Sequence, residues 1–102
     1  MMKKLCAGLT IAAISFALAL PASAGDAAAG KEKSAQCAAC HGADGKSPNE
    51  LWPNLAGQKY AYLVKQMKAF RDGSRSDPMM SPMAAPLSDA DIENLAAFYS
   101  GL

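Results

Sequence analysis

Five consecutive residues, Cys37-Ala38-Ala39-Cys40-His41, constrain this chain more than any other feature. Their pattern is C-x-x-C-H, the spacing that attaches a c-type haem. Two thiols must reach the two vinyl groups along one edge of a porphyrin and form thioethers with them. The next residue must then turn an imidazole under the iron. Two intervening residues, here small alanines, let one turn of chain do all three.

Other uses of these residues fit less well. A thioredoxin-like redox pair sits in a strand–helix fold, and no stretch of this chain alternates with period two. A structural zinc ion takes four ligands. Only Cys37, Cys40 and His41 are good candidates, and His41 is the sole histidine. Two buried thiols beside a satisfied histidine would be the bland alternative. A soft Cu(I) site at Met79-Met80-Ser81-Pro82-Met83 is a further one, because thioethers select that ion. Haem accounts for more of the pattern than any of these.

The start of the chain reads as an address. Met1-Met2-Lys3-Lys4 is a basic head, and Leu5 to Leu20 is apolar apart from Thr10 and Ser15. Pro21-Ala22-Ser23-Ala24 then supplies small residues at the positions signal peptidase reads. The apolar run is shorter than the roughly 20 residues that span a bilayer. Residues 1–24 are therefore expected to be a cleaved export signal, which also removes Cys6. Residues 25–102 are expected to form one domain in the periplasm, with no membrane span. Bacterial haem attachment takes place outside the cytoplasm, so signal and motif support each other.

That remainder is small for a protein with a self-sufficient core, and chains of this size often need a staple, metal or cofactor. The 51% hydrophobic content overstates its core, because much of it lies in the leader. A disulfide between Cys37 and Cys40 would close too short a loop to help. The formal charge of the whole chain is +1, which argues against nucleic-acid binding.

Helical spacing predicts three short helices separated by irregular loops. Asp26 caps the first, which runs from about Ala27 toward Cys37. Tyr60, Leu63, Val64, Met67 and Phe70 mark the second, with Gly73 as its stop. Ser88-Asp89-Ala90-Asp91 opens the third as a capping box, and Ile92, Leu95, Ala96 and Tyr99 form its apolar stripe. Between the last two, Pro78, Pro82 and Pro86 predict a loop over Ser74–Leu87, with Asp77, Ser81 and Ala85 extended. Trp52, Leu55, Leu63, Met67, Phe70, Leu95 and Tyr99 are the candidates for a haem pocket.

An iron with one axial histidine and an open face binds gases or peroxide, whereas a second strong ligand favours electron transfer. With no second histidine, methionine is the natural choice. Met67 falls on the apolar stripe of a helix, where packing is the commoner role. Met79, Met80 and Met83 lie in the proline-braced loop.

Taken together, Gly30, Cys37-Ala-Ala-Cys40-His41-Gly42, Asp44-Gly45, Ser47-Pro48, Pro53-Asn-Leu55-Ala56-Gly57-Gln58, Tyr62-Leu63, Lys65-Gln66, Met80-x-x-Met83, Leu87-Ser88-Asp89, Asp91-Ile92 and Leu95-Ala96-Ala97-Phe98 resemble a bacterial class I cytochrome c. The likeness is to one half of the two-domain, di-haem periplasmic cytochromes. It implies an all-α fold, with three main helices and loops wrapped around one covalent haem c. Cys37 and Cys40 resemble the thioether attachment points, and His41 the proximal iron ligand. Met80, seven residues before Leu87, resembles the distal ligand, and Met83 a second methionine that does not ligate. Pro53 resembles the proline whose carbonyl accepts the other ring N–H of the proximal histidine. Gly30 with Leu95 and Phe98 resembles the close crossing of first and last helices. Ser34 departs from the family, which carries an aromatic or aliphatic residue there.

The resemblance implies a soluble, monomeric, non-enzymatic electron carrier, cycling between ferric and ferrous iron. Its partners would be transient redox proteins, such as membrane-bound reductase and oxidase complexes of a respiratory chain. The alternative is a haem-based gas sensor or peroxidase-like enzyme with a labile sixth ligand. Arg71 and Arg75 are candidates to reach haem propionates, and Lys46, Lys59, Lys65 and Lys68 to border an exposed haem edge.

Overall fold

The computed structural model describes residues 8, 10–13 and 25–102. Apart from those few positions, the expected export signal lies outside the described residues. The rest is helix and loop: α1 (Ala27–Lys33) running into a 3-10 turn (Ser34–Gln36), then α2 (Ala38–His41), α3 (Tyr60–Asp72), α4 (Met80–Ala84) and α5 (Asp89–Ser100). No strand occurs among the described residues, and the expected all-α class I fold stands. No helix among them is long and apolar enough to cross a membrane.

Asp26 caps α1 as expected, its carboxylate accepting from the N–H groups of Ala28 and Ala29. Its own N–H donates to the Asn94 side-chain oxygen at 2.8 Å, tying the start of α1 to α5. The two helices cross at Gly30, which is buried. A Cβ there would strike the Asn94 carbonyl and come within 2.9 Å of the Phe98 Cβ, so only a bare backbone fits. The helix ends earlier than its spacing predicts. The Ser34 hydroxyl donates to the Lys31 carbonyl at 2.6 Å, competing with the i→i+4 ladder, and the chain tightens into the 3-10 turn.

Helix α3 stops at Gly73, whose φ of 88° and ψ of 3° put it in the left-handed region that favours glycine. Leu63 is buried, and Val64, Met67 and Phe70 pack beside it against the core.

The predicted loop over Ser74–Leu87 is corrected by α4. Pro82 is the third residue of this helix, within the first turn, where a backbone N–H has no intrahelical partner to lose. Ser81 is helical and Ala85 lies in the right-handed region, although each precedes a proline. Asp77 precedes the helix and Ala85 caps its end, so the proline spacing shortens the element without abolishing it.

Helix α5 carries the capping box. The Asp91 N–H donates to the Ser88 hydroxyl at 3.0 Å, and the Ser88 N–H donates to the Asp91 carboxylate at 3.1 Å. Ile92, Leu95, Ala96 and Tyr99 are buried on its inner stripe. With Leu63, Ala84 and Leu87 they form the core, where α5 packs on both α1 and α3.

The box makes stability depend on acid. The Ser88 N–H holds the Asp91 carboxyl below its ordinary value of 3.8 against the opposing effect of burial, with smaller help from the Ser88 hydroxyl and Lys33. A carboxylate with a depressed folded-state pKa contributes fully above its unfolded value and loses that contribution as the pH falls through the folded one. Asp91→Asn is therefore expected to lower the melting temperature at neutral pH and flatten its decline below about pH 4. Thermal unfolding across pH checks both.

Candidate functional site

One turn of helix presents the motif. The N–H groups of Cys40 and His41 both reach the Cys37 carbonyl, at 3.3 and 2.9 Å, and α2 ends at Gly42 with φ 82°. Cys37, Cys40 and His41 thereby face a cavity of about 520 Å³, within the range of small-molecule and cofactor sites. All seven pocket candidates, Trp52, Leu55, Leu63, Met67, Phe70, Leu95 and Tyr99, line it. Met67 combines two roles, packing against the core and facing the cavity.

The histidine is fixed from behind. His41 is only 6% exposed, and its Nδ1 lies 2.8 Å from the Pro53 carbonyl oxygen. A carbonyl only accepts, so Nδ1 carries the proton and Nε2 keeps a free lone pair. The loop that supplies Pro53 is itself pinned. The N–H groups of Leu55 and Ala56 both donate to the Gly45 carbonyl, at 2.7 and 3.0 Å. The Ser47 N–H donates to the Asn54 side-chain oxygen at 2.7 Å. Pro53, 12 residues along the chain from His41, is thus brought to its ring.

Neither cysteine is in a disulfide. Burial pushes the Cys37 thiol up, an environment that suits an uncharged sulfur such as a thioether.

Met80 is half-buried at the first position of α4 and lines the cavity, as do the more exposed Met79 and Met83. Asp77 locks this turn. Its carboxylate accepts from the N–H groups of Met79 and Met80, both at 2.8 Å, which holds its pKa below the usual carboxylate value. Its own N–H donates to the Ser81 hydroxyl at 3.0 Å.

The two arginines separate. Arg71 turns away from the cavity to Asp72 at 2.9 Å, Asp89 at 2.7 Å and the Leu87 carbonyl at 3.3 Å. Arg75 stays at the cavity, its guanidinium carbon 4.4 Å over the Phe70 ring and one N–H donating to Gln66 at 2.8 Å. None of Lys46, Lys59, Lys65 and Lys68 lines the cavity. Tyr62 and Gln66 do; the sequence places both in the family resemblance but not among the pocket candidates. The available signal was their i, i+4 spacing alongside the apolar stripe of α3.

Residues 27–102 match the family model for cytochrome c. The chain belongs to the cytochrome c family. It is 51% identical over 80 residues to cytochrome c-554(548) of Halomonas halodenitrificans, covering 76% of this chain and 96% of that one. Over 77 residues it is 51% identical to cytochrome c4 of Pseudomonas aeruginosa, covering 76% of this chain and 38% of that protein. The fold matches the crystal structure of reduced recombinant cytochrome c4 from Pseudomonas stutzeri with a TM-score of 0.72 at 46% identity, covering 76% of this chain and 45% of the other. The chain thus spans nearly all of one relative and less than half of the others. A further similar protein, from Thiomonas intermedia, is named a thiosulfate dehydrogenase electron acceptor and is 46% identical over 76 residues. These likenesses support an electron-carrying cytochrome c.

The cofactor of the family is a covalent haem c with its iron, and the residues present fit it. Two free thiols and an imidazole with an open Nε2 share one wall of the cavity, and a methionine faces it from another element. The surface between them is largely apolar.

Proposed function

We propose that this cytochrome c is a mono-haem periplasmic electron carrier with His41 and Met80 as axial ligands and thioethers at Cys37 and Cys40. The observation that carries this reading is the Nδ1 contact of His41 with Pro53. It fixes the tautomer and the ring, and leaves Nε2 as the ligand atom on the same wall as the two thiols.

The haem supplies one-electron chemistry through its iron, and every other role belongs to the chain. His41 binds with a basic nitrogen whose orientation Pro53 sets. Met80 offers a soft sulfur, which favours the ferrous state. Asp77 holds the Met80 backbone, which would keep that sulfur in place in either oxidation state of a bound haem. Leu55, Leu63, Phe70 and Leu95 exclude water, and their low polarity disfavours the more highly charged ferric state. Arg75, at the cavity and free of a carboxylate partner in its hydrogen bonds, is the better placed of the two arginines for a propionate.

Leu51, Tyr62, Met79 and Met83 are exposed around the cavity. Such an apolar rim suits small, brief contacts with redox partners. Membrane-bound reductases and oxidases are partners of this kind, and the expected leader of residues 1–24 would deliver the protein to their compartment.

The test is covalency. Expressed with haem-attachment machinery, the protein is expected to keep its haem through acid denaturation and solvent extraction. The Cys37→Ala/Cys40→Ala double variant is expected to release it. Release from the wild type would overturn the thioether assignment.

A further inference from the structure

Met79, Met80 and Met83 all line the cavity, and the chemistry of a thioether does not distinguish one from another. Their placement does. Met80 is half-buried, whereas Met79 is 55% and Met83 41% exposed. Successive residues of a helix point about 100° apart, so Met79 and Met80 cannot face the same point together. The phase of the first turn of α4 decides which of the two turns inward.

Residue 77 sets that phase. One carboxylate oxygen of Asp77 accepts from the N–H groups of both Met79 and Met80, each at 2.8 Å. The Asp77 N–H donates to the Ser81 hydroxyl, and the Ser81 N–H donates to the Asp77 carbonyl, each at 3.0 Å. The first N–H groups of a helix have no partner within it, so these contacts are what orders them. Pro78 stiffens the backbone between acceptor and donors. The far end of α4 is anchored separately, by Ala84 and Leu87 in the core. Exchange of Met79 for Met80 therefore takes only an unwinding of the first turn, and Asp77 opposes that unwinding.

We propose that Asp77 is a positioning residue that selects Met80 over Met79 as the sixth ligand of a bound haem. It acts through the shared oxygen and not through its charge, because an amide oxygen in the same place accepts the same two bonds. The selection presupposes Met80 as axial ligand, as proposed above, and adds what makes the choice.

The methyl group of an iron-bound thioether lies in the ring current of the porphyrin, so proton NMR of the reduced, haem-loaded protein reads the ligand directly. The wild type is expected to show one strongly shifted methyl signal, and Met79→Leu the same signal unmoved. Asp77→Ala is expected to add a second shifted signal, on the order of a tenth of the intensity or more, or to displace the signal to an average if exchange is fast. Adding Met79→Leu to Asp77→Ala is expected to restore the single wild-type signal, and Asp77→Asn is expected to keep it. Ser81→Ala, which removes only the side-chain acceptor of the Asp77 N–H, is expected to give a weaker second signal and serves if Asp77→Ala fails to hold haem. A single unmoved signal in both Asp77→Ala and Ser81→Ala would overturn the proposal, even with a lower melting temperature, since the contacts would then be structural only. A second signal that survives Met79→Leu would overturn it too, as would equal splitting in Asp77→Asn and Asp77→Ala. Persistence of the wild-type signal in Met80→Ala would instead strike the ligand reading on which the selection rests.

Discussion

Met80→Ala is expected to convert a protein inert to carbon monoxide into one that binds it promptly in the reduced state. The wild-type iron has both axial positions filled in the proposed arrangement, by an imidazole anchored to Pro53 and a thioether anchored through Asp77. Alanine leaves the second position to water or an added ligand. The same substitution removes the soft sulfur that favours ferrous iron, so the potential is expected to fall by on the order of 0.2 V, a fraction of the ~0.8 V span that axial ligands command. Covalent haem content is expected to stay constant, because Cys37 at the start of α2 and Cys40 and His41 within it lie apart from Met80 on α4. Visible spectra of the reduced protein with and without carbon monoxide measure the binding, a potentiometric titration measures the potential, and haem retained after solvent extraction measures the covalent content. A variant still inert to carbon monoxide would move the ligand to Met79 or Met83, both of which line the cavity. Prompt binding by the wild type would move the protein toward gas sensing or peroxide chemistry.

The second large effect lies far from the iron. Gly30→Ala is expected to lower stability by about 3 kcal/mol, at the upper end of overpacking penalties. The added methyl group meets the Asn94 carbonyl on the backbone of α5 and the Phe98 Cβ, whose position that backbone fixes, so no side-chain rotation relieves it. In a domain of this size that corresponds to a loss of ~12–24 °C in melting temperature. The hydrogen bond from the Asp26 N–H to Asn94 spans the same crossing and would be strained as the helices separate. Calorimetry of the haem-loaded variant gives the answer. A change under about 1 kcal/mol would show that α1 can move aside, and that the crossing is less tight than its geometry implies.

Some elements were readable because their causes are local. The capping box at Ser88, the glycine stop at Gly73 and the Asp26 cap each depend on residues within four positions of one another, and all three are present. The apolar stripes of α3 and α5 follow from helical period alone, and every pocket candidate drawn from them lines the cavity. Misreadings arose where one residue served two demands. Pro82 reads as a helix breaker, yet it occupies a first-turn position where its missing N–H costs nothing. Ser34 looked like part of a continuing helix, but its hydroxyl captured the Lys31 carbonyl and ended it.

The haem itself was legible in five consecutive residues, since C-x-x-C-H is a local chemical requirement that any fold must satisfy. The amino-acid sequence alone therefore determined the cofactor, the helical class and the set of methionines from which a distal ligand is drawn. The tertiary structure decided which groups meet across long separations: the Pro53 carbonyl behind His41, Arg75 rather than Arg71 at the cavity, and the Asn94 side chain at the Asp26 N–H. The physical reason is range. Caps, stops and attachment motifs act through a few covalent bonds, whereas the direction of a buried hydroxyl or guanidinium is set by whichever acceptor the packed chain brings within about 3 Å.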